Sequence, residues 1–307
     1  MTKIKIFLFF IIERFIFKPL YLILTLPNQK KPMKKNVIFV ICIAWSLLFL
    51  ANCNNDDEIT DDFDQTETVD DGATDEDTET EDDDAIESVW DAFYNVENIY
   101  IQGDYVYINT FDLPDHVSAF YPEDDSLYAA YDGDNGNFST TITAGGQTFD
   151  PEIAAQNYTF KIPINPVVNT SHQSTSGGPI GVALNGVVIY NQYNGAGTVL
   201  DDLEFNNTDQ YNGHPTPNTG GYHYHIEPTW LTRNDPGALI GFLLDGFPIY
   251  GPVEEGVELF TADLDDYHGH TAATAEYPDG IYHYHATSDA PWINGDGYWG
   301  TPGTVSQ

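Results

Sequence analysis

Leu184-Asn185-Gly186-Val187-Val188-Ile189-Tyr190 returns sixty residues later as Leu244-Asp245-Gly246-Phe247-Pro248-Ile249-Tyr250. Downstream of each copy stands one tetrapeptide, Tyr222-His223-Tyr224-His225 and Tyr282-His283-Tyr284-His285, again sixty residues apart. Gly181 matches Gly241 and Gly220 matches Gly280 at that spacing. Tyr211-Asn212-Gly213-His214 echoes Tyr267-His268-Gly269-His270, displaced by four positions. Two copies of one order imply two related units packed about a pseudo-twofold axis.

The composition around these copies is that of a β-protein. Tyr105-Val-Tyr-Ile-Asn-Thr, Phe138-Ser-Thr-Thr-Ile-Thr, Tyr158-Thr-Phe-Lys-Ile-Pro and Val187-Val-Ile-Tyr read as strands. Turn signals recur at Asp132-Gly133, Asn185-Gly186, Asn212-Gly213, Asp245-Gly246 and Asp279-Gly280. No dozen residues carry a capped helical period, so helices should be few and short. The expected fold is all-β: an antiparallel sandwich or barrel with an internally duplicated unit. Residues 89–175 read as an N-terminal β-subdomain and residues 176–307 as the duplicated domain.

Seven of nine histidines lie in the repeated motifs. Alternate side chains of a strand share a face, so the two histidines of Tyr-His-Tyr-His point one way and its tyrosines the other. Imidazoles at i and i+2 sit about 7 Å apart at Cα, close enough to converge on one ion. Neutral imidazole suits Zn, Cu, Mn and Fe. The candidate metal ligands are therefore His214, His223 and His225 in the first copy, with His270, His283 and His285 in the second. His268 stands where the first copy has Asn212, which makes it the weakest candidate. Two arrangements stay open: one three-histidine site per copy, or a single four-histidine site shared across the axis. Asp209, Asp245 or Asp265 would suit a mixed histidine–carboxylate site, and the absence of Met and Cys beyond Cys53 argues against soft Cu(I).

This set of motifs resembles the YHYH-domain family, which is named for the tetrapeptide. The resemblance runs over roughly residues 160–305, through Gly-Val-Ala-Leu-Asn-Gly-Val at 181–187, Leu-Asp-Gly-Phe-Pro-Ile-Tyr-Gly-Pro at 244–252, Gly269-His270 and the doubled tetrapeptide. It implies a secreted or surface-anchored bacterial protein and no particular activity. Some relatives carry cysteines near the Gly-His motifs, where this chain has Tyr211 and Tyr267.

Ahead of the β-region, the chain reads as an address and a stalk. Lys34-Lys35, the apolar run 37–50 and Leu50-Ala51-Asn52-Cys53 resemble a bacterial lipoprotein signal peptide at residues 33–52, with Cys53 as the lipidated residue. Residues 1–32 then read as an extension ahead of the true start at Met33. Asn54-Asn-Asp-Asp-Glu58 looks like the surface-export signal of Bacteroidetes-type lipoproteins, so the expected location is the outer face of the cell outer membrane. Residues 53–88 read as an acidic disordered tether, since residues 54–88 hold 18 acids in 35 positions and almost nothing to bury.

Of 48 acids and 10 bases, 29 acids and only Lys161 and Arg233 fall within residues 89–307, a formal charge of −27. Such a field repels phosphate backbones and excludes nucleic acid as a partner, while it concentrates cations. No Gly-x-Ser-x-Gly, phosphate-binding loop or dinucleotide fingerprint is present. The expectation is a lipid-anchored surface protein that binds a transition metal through histidine, with any enzymatic role left open. The competing expectation is a non-catalytic glycan- or surface-binding module in which the Tyr/His motifs are structural.

Overall fold

The computed structural model describes residues 89–307. The readings of the leader, of Cys53 and of the acidic tether lie outside the described residues. Among those described, no helix is long and apolar enough to cross a membrane.

The chain lays down β1 (Asn98–Gln102) and β2 (Tyr105–Thr110), an outlying hairpin of β3 (Ile142–Ala144) and β4 (Gln147–Phe149), and then β5 (Tyr158–Pro163). The first unit of the repeat supplies β6 (Gly181–Ala183), β7 (Val188–Ile189), β8 (Gly213–Pro215) and β9 (Tyr222–Tyr224). The second supplies β10 (Leu239–Leu243), β11 (Pro248–Tyr250), a small hairpin of β12 (Val253–Glu254) and β13 (Val257–Glu258), then β14 (Gly269–Ala272) and β15 (Ile281–His285). β16 (Thr304–Ser306) ends the series. Among the described residues, helix is limited to residues 89–90, the four-residue segments Asp202–Phe205 and Thr229–Thr232, and a 3-10 turn at Thr261–Asp263.

Two sheets carry the architecture. An antiparallel sheet runs β1-β2-β5-β16, and an eight-stranded sheet runs β14-β15-β11-β10-β6-β7-β9-β8. Alternation along β2 and β5 turns Val106, Ile108, Phe160 and Ile162 inward, all fully buried. They join one hydrophobic core with Ile180, Val182, Ile189, Ile240, Phe242 and Ile249 of the eight-stranded sheet and its flanks. Each such side chain contributes roughly 1.5–3 kcal/mol through burial. The result is a sandwich, since neither large sheet closes on itself.

The order of the eight strands reads the same from either end when one copy is exchanged for the other. Its centre is the antiparallel pairing of β6 with β10, where Val182 faces Phe242, its own repeat equivalent. The matched glycines are required there. A Cβ on Gly181 would stand 2.5 Å from the carbonyl oxygen of Phe242, and one on Gly241 would stand 2.2 Å from that of Val182. Outward from the axis, hairpins β6/β7 and β10/β11 turn through Asn185-Gly186 and Asp245-Gly246. The second strand of each hairpin then pairs in parallel with the Tyr-His-Tyr-His strand. The sheet is thus antiparallel except at those two places, where the chain crosses over through the segment that carries the Gly-His strand.

Three of the expected strands match in place, Tyr105–Thr110 and Tyr158–Pro163 in full and the third shortened to Val188–Ile189. The fourth begins only at Ile142. Phe138 leaves the strand path because its ring stacks on Tyr131, centroids 3.9 Å apart, while the backbone N–H of Ser139 donates to Asn206 O.

Candidate metal centres

Each Tyr-His-Tyr-His strand separates two jobs by face. The tyrosines are buried in the core, and their hydroxyls find fixed partners. Tyr222 Oη donates to Asp209 Oδ2 at 2.8 Å, and Tyr282 Oη to Asp265 Oδ1 at 2.9 Å. Asp209 and Asp265 also accept the N–H groups of Tyr211 and Tyr267, shaping the turn that delivers each Gly-His. Tyr284 Oη donates to Asp245 Oδ2 at 2.7 Å. In the other copy, Asn185 Nδ2 donates to Tyr224 Oη at 3.2 Å. Asp209, Asp245 and Asp265, expected as possible co-ligands, are therefore committed to the tyrosine face.

The glycine of Gly-His has a steric reason as well. A Cβ on Gly213 would lie 2.3 Å from the Tyr222 ring, and one on Gly269 would lie 2.4 Å from the His283 carbonyl oxygen. Only glycine lets the Gly-His strand come this close to the Tyr-His-Tyr-His strand.

Cross-strand register then assembles the histidines. His214 lies directly opposite His223, and His270 opposite His283. His225 and His285 complete each trio, with ring centroids 4.4–5.7 Å apart in the first and 4.7–5.1 Å in the second. All six candidate ligands are thus brought together as two separate groups, at the two ends of the eight-stranded sheet. The four-histidine site shared across the axis is not formed, because five strand spacings of roughly 4.8 Å lie between β9 and β15 along the sheet.

The rings are held in one tautomer by the backbone. His223 Nδ1 donates to Gly221 O at 3.1 Å and His283 Nδ1 to Ile281 O at 3.0 Å. His225 Nδ1 donates to Asn191 O at 2.6 Å and His285 Nδ1 to Gly251 O at 2.8 Å. A carbonyl only accepts, so the proton sits on Nδ1 and each Nε2 presents a lone pair. This is the arrangement that orients imidazole toward a metal. Both nitrogens of His214 and Nε2 of His283 are buried without a hydrogen-bond partner. Burial pushes His214 down to about 3, with repulsion from His225 adding to it. Burial likewise holds His285 down to about 3 and His225 down to about 4, against the raising effect of their carbonyl contacts. His223 and His283 are lowered by the same cause. These rings are therefore neutral, the form that binds metal.

A carboxylate joins each trio, and neither was singled out from the sequence. Glu254 Oε2 lies 3.2 Å from His270 Nε2, and its Oε1 lies 3.3 Å from His283 Nε2. His270 Nε2 and His285 Nε2 are also 3.2 Å apart. Ligand atoms at 2.0–2.1 Å around a tetrahedral ion stand about 3.3 Å from one another. The second copy thus has donor separations near those of a ligand shell. In the first copy Glu204 Oε1 reaches only His214 Nε2, at 3.4 Å. Glu204 and Glu254 are 50 residues apart rather than 60, so the repeat gave no sign of them.

The remaining histidines do other work. His268 is buried, turns at φ 73° where Asn212 has φ 66°, and pairs its Nε2 with Thr287 Oγ1 at 3.0 Å. His116 Nε2 meets Tyr224 Oη on the tyrosine face, and His172 stacks on Tyr267. At the C-terminus Tyr298 is buried and Trp299 stacks on Tyr282, so both close the core.

Comparison with known proteins agrees with this geometry in extent. Residues 159–258 and 254–296 match the family model described as YHYH protein, a span that contains both histidine trios. No curated protein and no solved structure matches the chain.

Proposed function

Since residues 159–296 match the YHYH family model, we propose that this domain binds transition-metal ions through two histidine clusters, on a chain anchored to the cell outer membrane by a lipid at Cys53. The ions are Zn, Cu, Mn or Fe in their harder oxidation states, as imidazole with carboxylate favours. The first site comprises His214, His223 and His225, and the second His270, His283, His285 and Glu254. One observation carries the reading: four imidazoles are tied through Nδ1 to backbone carbonyls, which leaves Nε2 as the lone-pair nitrogen in rings that gather in two clusters with ligand atoms within 4.8 Å of one another. Nε2 of His283 and both nitrogens of His214 are buried without a hydrogen-bond partner, a cost that a merely structural histidine has no need to carry.

The glycan-binding alternative finds less support. The tyrosines of the tetrapeptides are at most 5% exposed and offer no stacking platform. The −27 charge of this region draws cations toward the sites, whatever the lipid anchor does for location.

Elemental analysis of the purified protein tests the proposal. Up to two equivalents of metal per chain are expected, with loss in a double His223→Ala/His283→Ala variant. Metal-free protein whose variants lose stability alone would refute it. Glycan binding that persists after chelation would favour the alternative.

A further inference from the structure

The two clusters have the same histidine register and differ in access to water at one ligand, His270, since His283 and His285 are as buried as the first trio. His214, His223 and His225 are each at most 4% exposed. Tyr190 lies flat on His223, ring centroids 4.3 Å apart at 29°, and Glu204 on the Asp202–Phe205 helix stands with its Oε1 3.4 Å from His214 Nε2. That helix is fastened at its end. Asn135 Nδ2 donates to Phe205 O, Ser139 N to Asn206 O, and Asn207 Nδ2 to the carbonyls of Ser139 and Thr141. Reaching the first cluster requires these contacts to break.

The second cluster lies against a largely exposed hairpin. The His270 side chain is 30% exposed, on β14 at the free edge of the eight-stranded sheet. Glu254 sits on the two-residue strand β12, whose hairpin partner Val257–Glu258 and intervening Glu255-Gly256 are exposed. The partner ring Tyr250 meets His283 edge-on, at 77°, instead of covering it. A hairpin with so little buried surface opens at small cost, whereas the segment over the first cluster opens only as the hydrogen bonds that fasten its end break.

We infer that the two sites divide the work: the second, closed by Glu254, exchanges a divalent transition cation with solution, and the first holds its cation as a structural brace. This rests on the metal-binding reading. Nothing in the ligand count requires the difference; it follows from what covers each trio.

The test is release of Zn(II) from the zinc-loaded protein to excess chromophoric chelator. Two kinetic phases of one equivalent each are expected, the slower by at least about tenfold, given the cost of breaking the hydrogen bonds that fasten the segment over the first cluster. H270A should abolish the fast phase and leave the slow one. E254Q should keep both phases and accelerate the fast one. Two equivalents leaving in a single phase would overturn the division of work alone, as would loss of the slow phase in H270A. No zinc retained at either cluster would overturn both this inference and the metal-binding reading.

Discussion

The two copies of the repeat share a backbone plan down to the hydrogen bond and differ in how each is finished. His223 and His283 bond the carbonyl two residues back, and His225 and His285 bond carbonyls sixty residues apart in sequence, Asn191 and Gly251. On the tyrosine face, by contrast, one copy places Asn185 under Tyr224 and the other places Asp245 under Tyr284. On the histidine face, one carboxylate rides on a helix and the other on a hairpin. A repeated sequence motif therefore preserves ligand direction, while the loops between motifs decide burial and access.

The sharpest way to break the likeness is at the Gly-His step. G269A should destabilise the fold by roughly 2–3 kcal/mol, because the new methyl meets backbone. G213A should cost less, because what it meets is the Tyr222 side chain alone, with no backbone contact added. Chemical denaturation of the two variants checks the ranking, and equal costs would show that the two turns are better matched than the contacts indicate.

The tyrosine supports come next. In D245N the amide replaces an acceptor that serves both Tyr284 Oη and Gly300 N, and about 1–3 kcal/mol should be lost. N185D would remove the donor to Tyr224 and place a second carboxylate beside Asp115, with a loss of similar size. If one exchange is neutral, the corresponding support is dispensable, and urea titration reads this directly.

A further effect is expected on pH dependence, spread over several pH units. A metal-free histidine held near 3 or 4 when folded, against about 6.5 unfolded, leaves the unfolded state with more bound protons between those values. Its stabilising neutrality is present above pH 6.5 and is lost as pH falls toward 4, by at most about 1.4 kcal/mol per pH unit for each ring. Asp245, raised to about 6 by burial, works the other way over part of that window. Comparing the metal-free protein with H225Q isolates the histidine share: the variant should be flatter with pH. A pH slope that H225Q leaves unchanged would show that the ring does not titrate as its burial implies.

Much of this was legible in the residues. The alternation in Tyr105–Thr110 and Tyr158–Pro163 and the face-sharing of the paired histidines followed from a period of two, and the sixty-residue repeat stood in the sequence itself. So did the low rank of His268, through its match with Asn212. What could not be read was set by long-range packing. Parallel pairing of β7 with β9 and of β11 with β15 depends on a crossover that local pattern does not encode. Glu204 and Glu254 were lost among 29 acids, since neither occupies a repeated position. Phe138 has the composition of a strand residue and the partners of a loop, and its stacking on Tyr131 decided the matter.

The central pairing of β6 with β10 has a bearing on self-association. Each unit taken alone would present that strand as a bare sheet edge, shaped by Gly181 or Gly241 to accept a neighbour at close range. In a two-unit chain the edge is already answered from within, by a surface built to the same design. The protein is in effect an isologous dimer written as one polypeptide, and the joining of its halves does not depend on concentration.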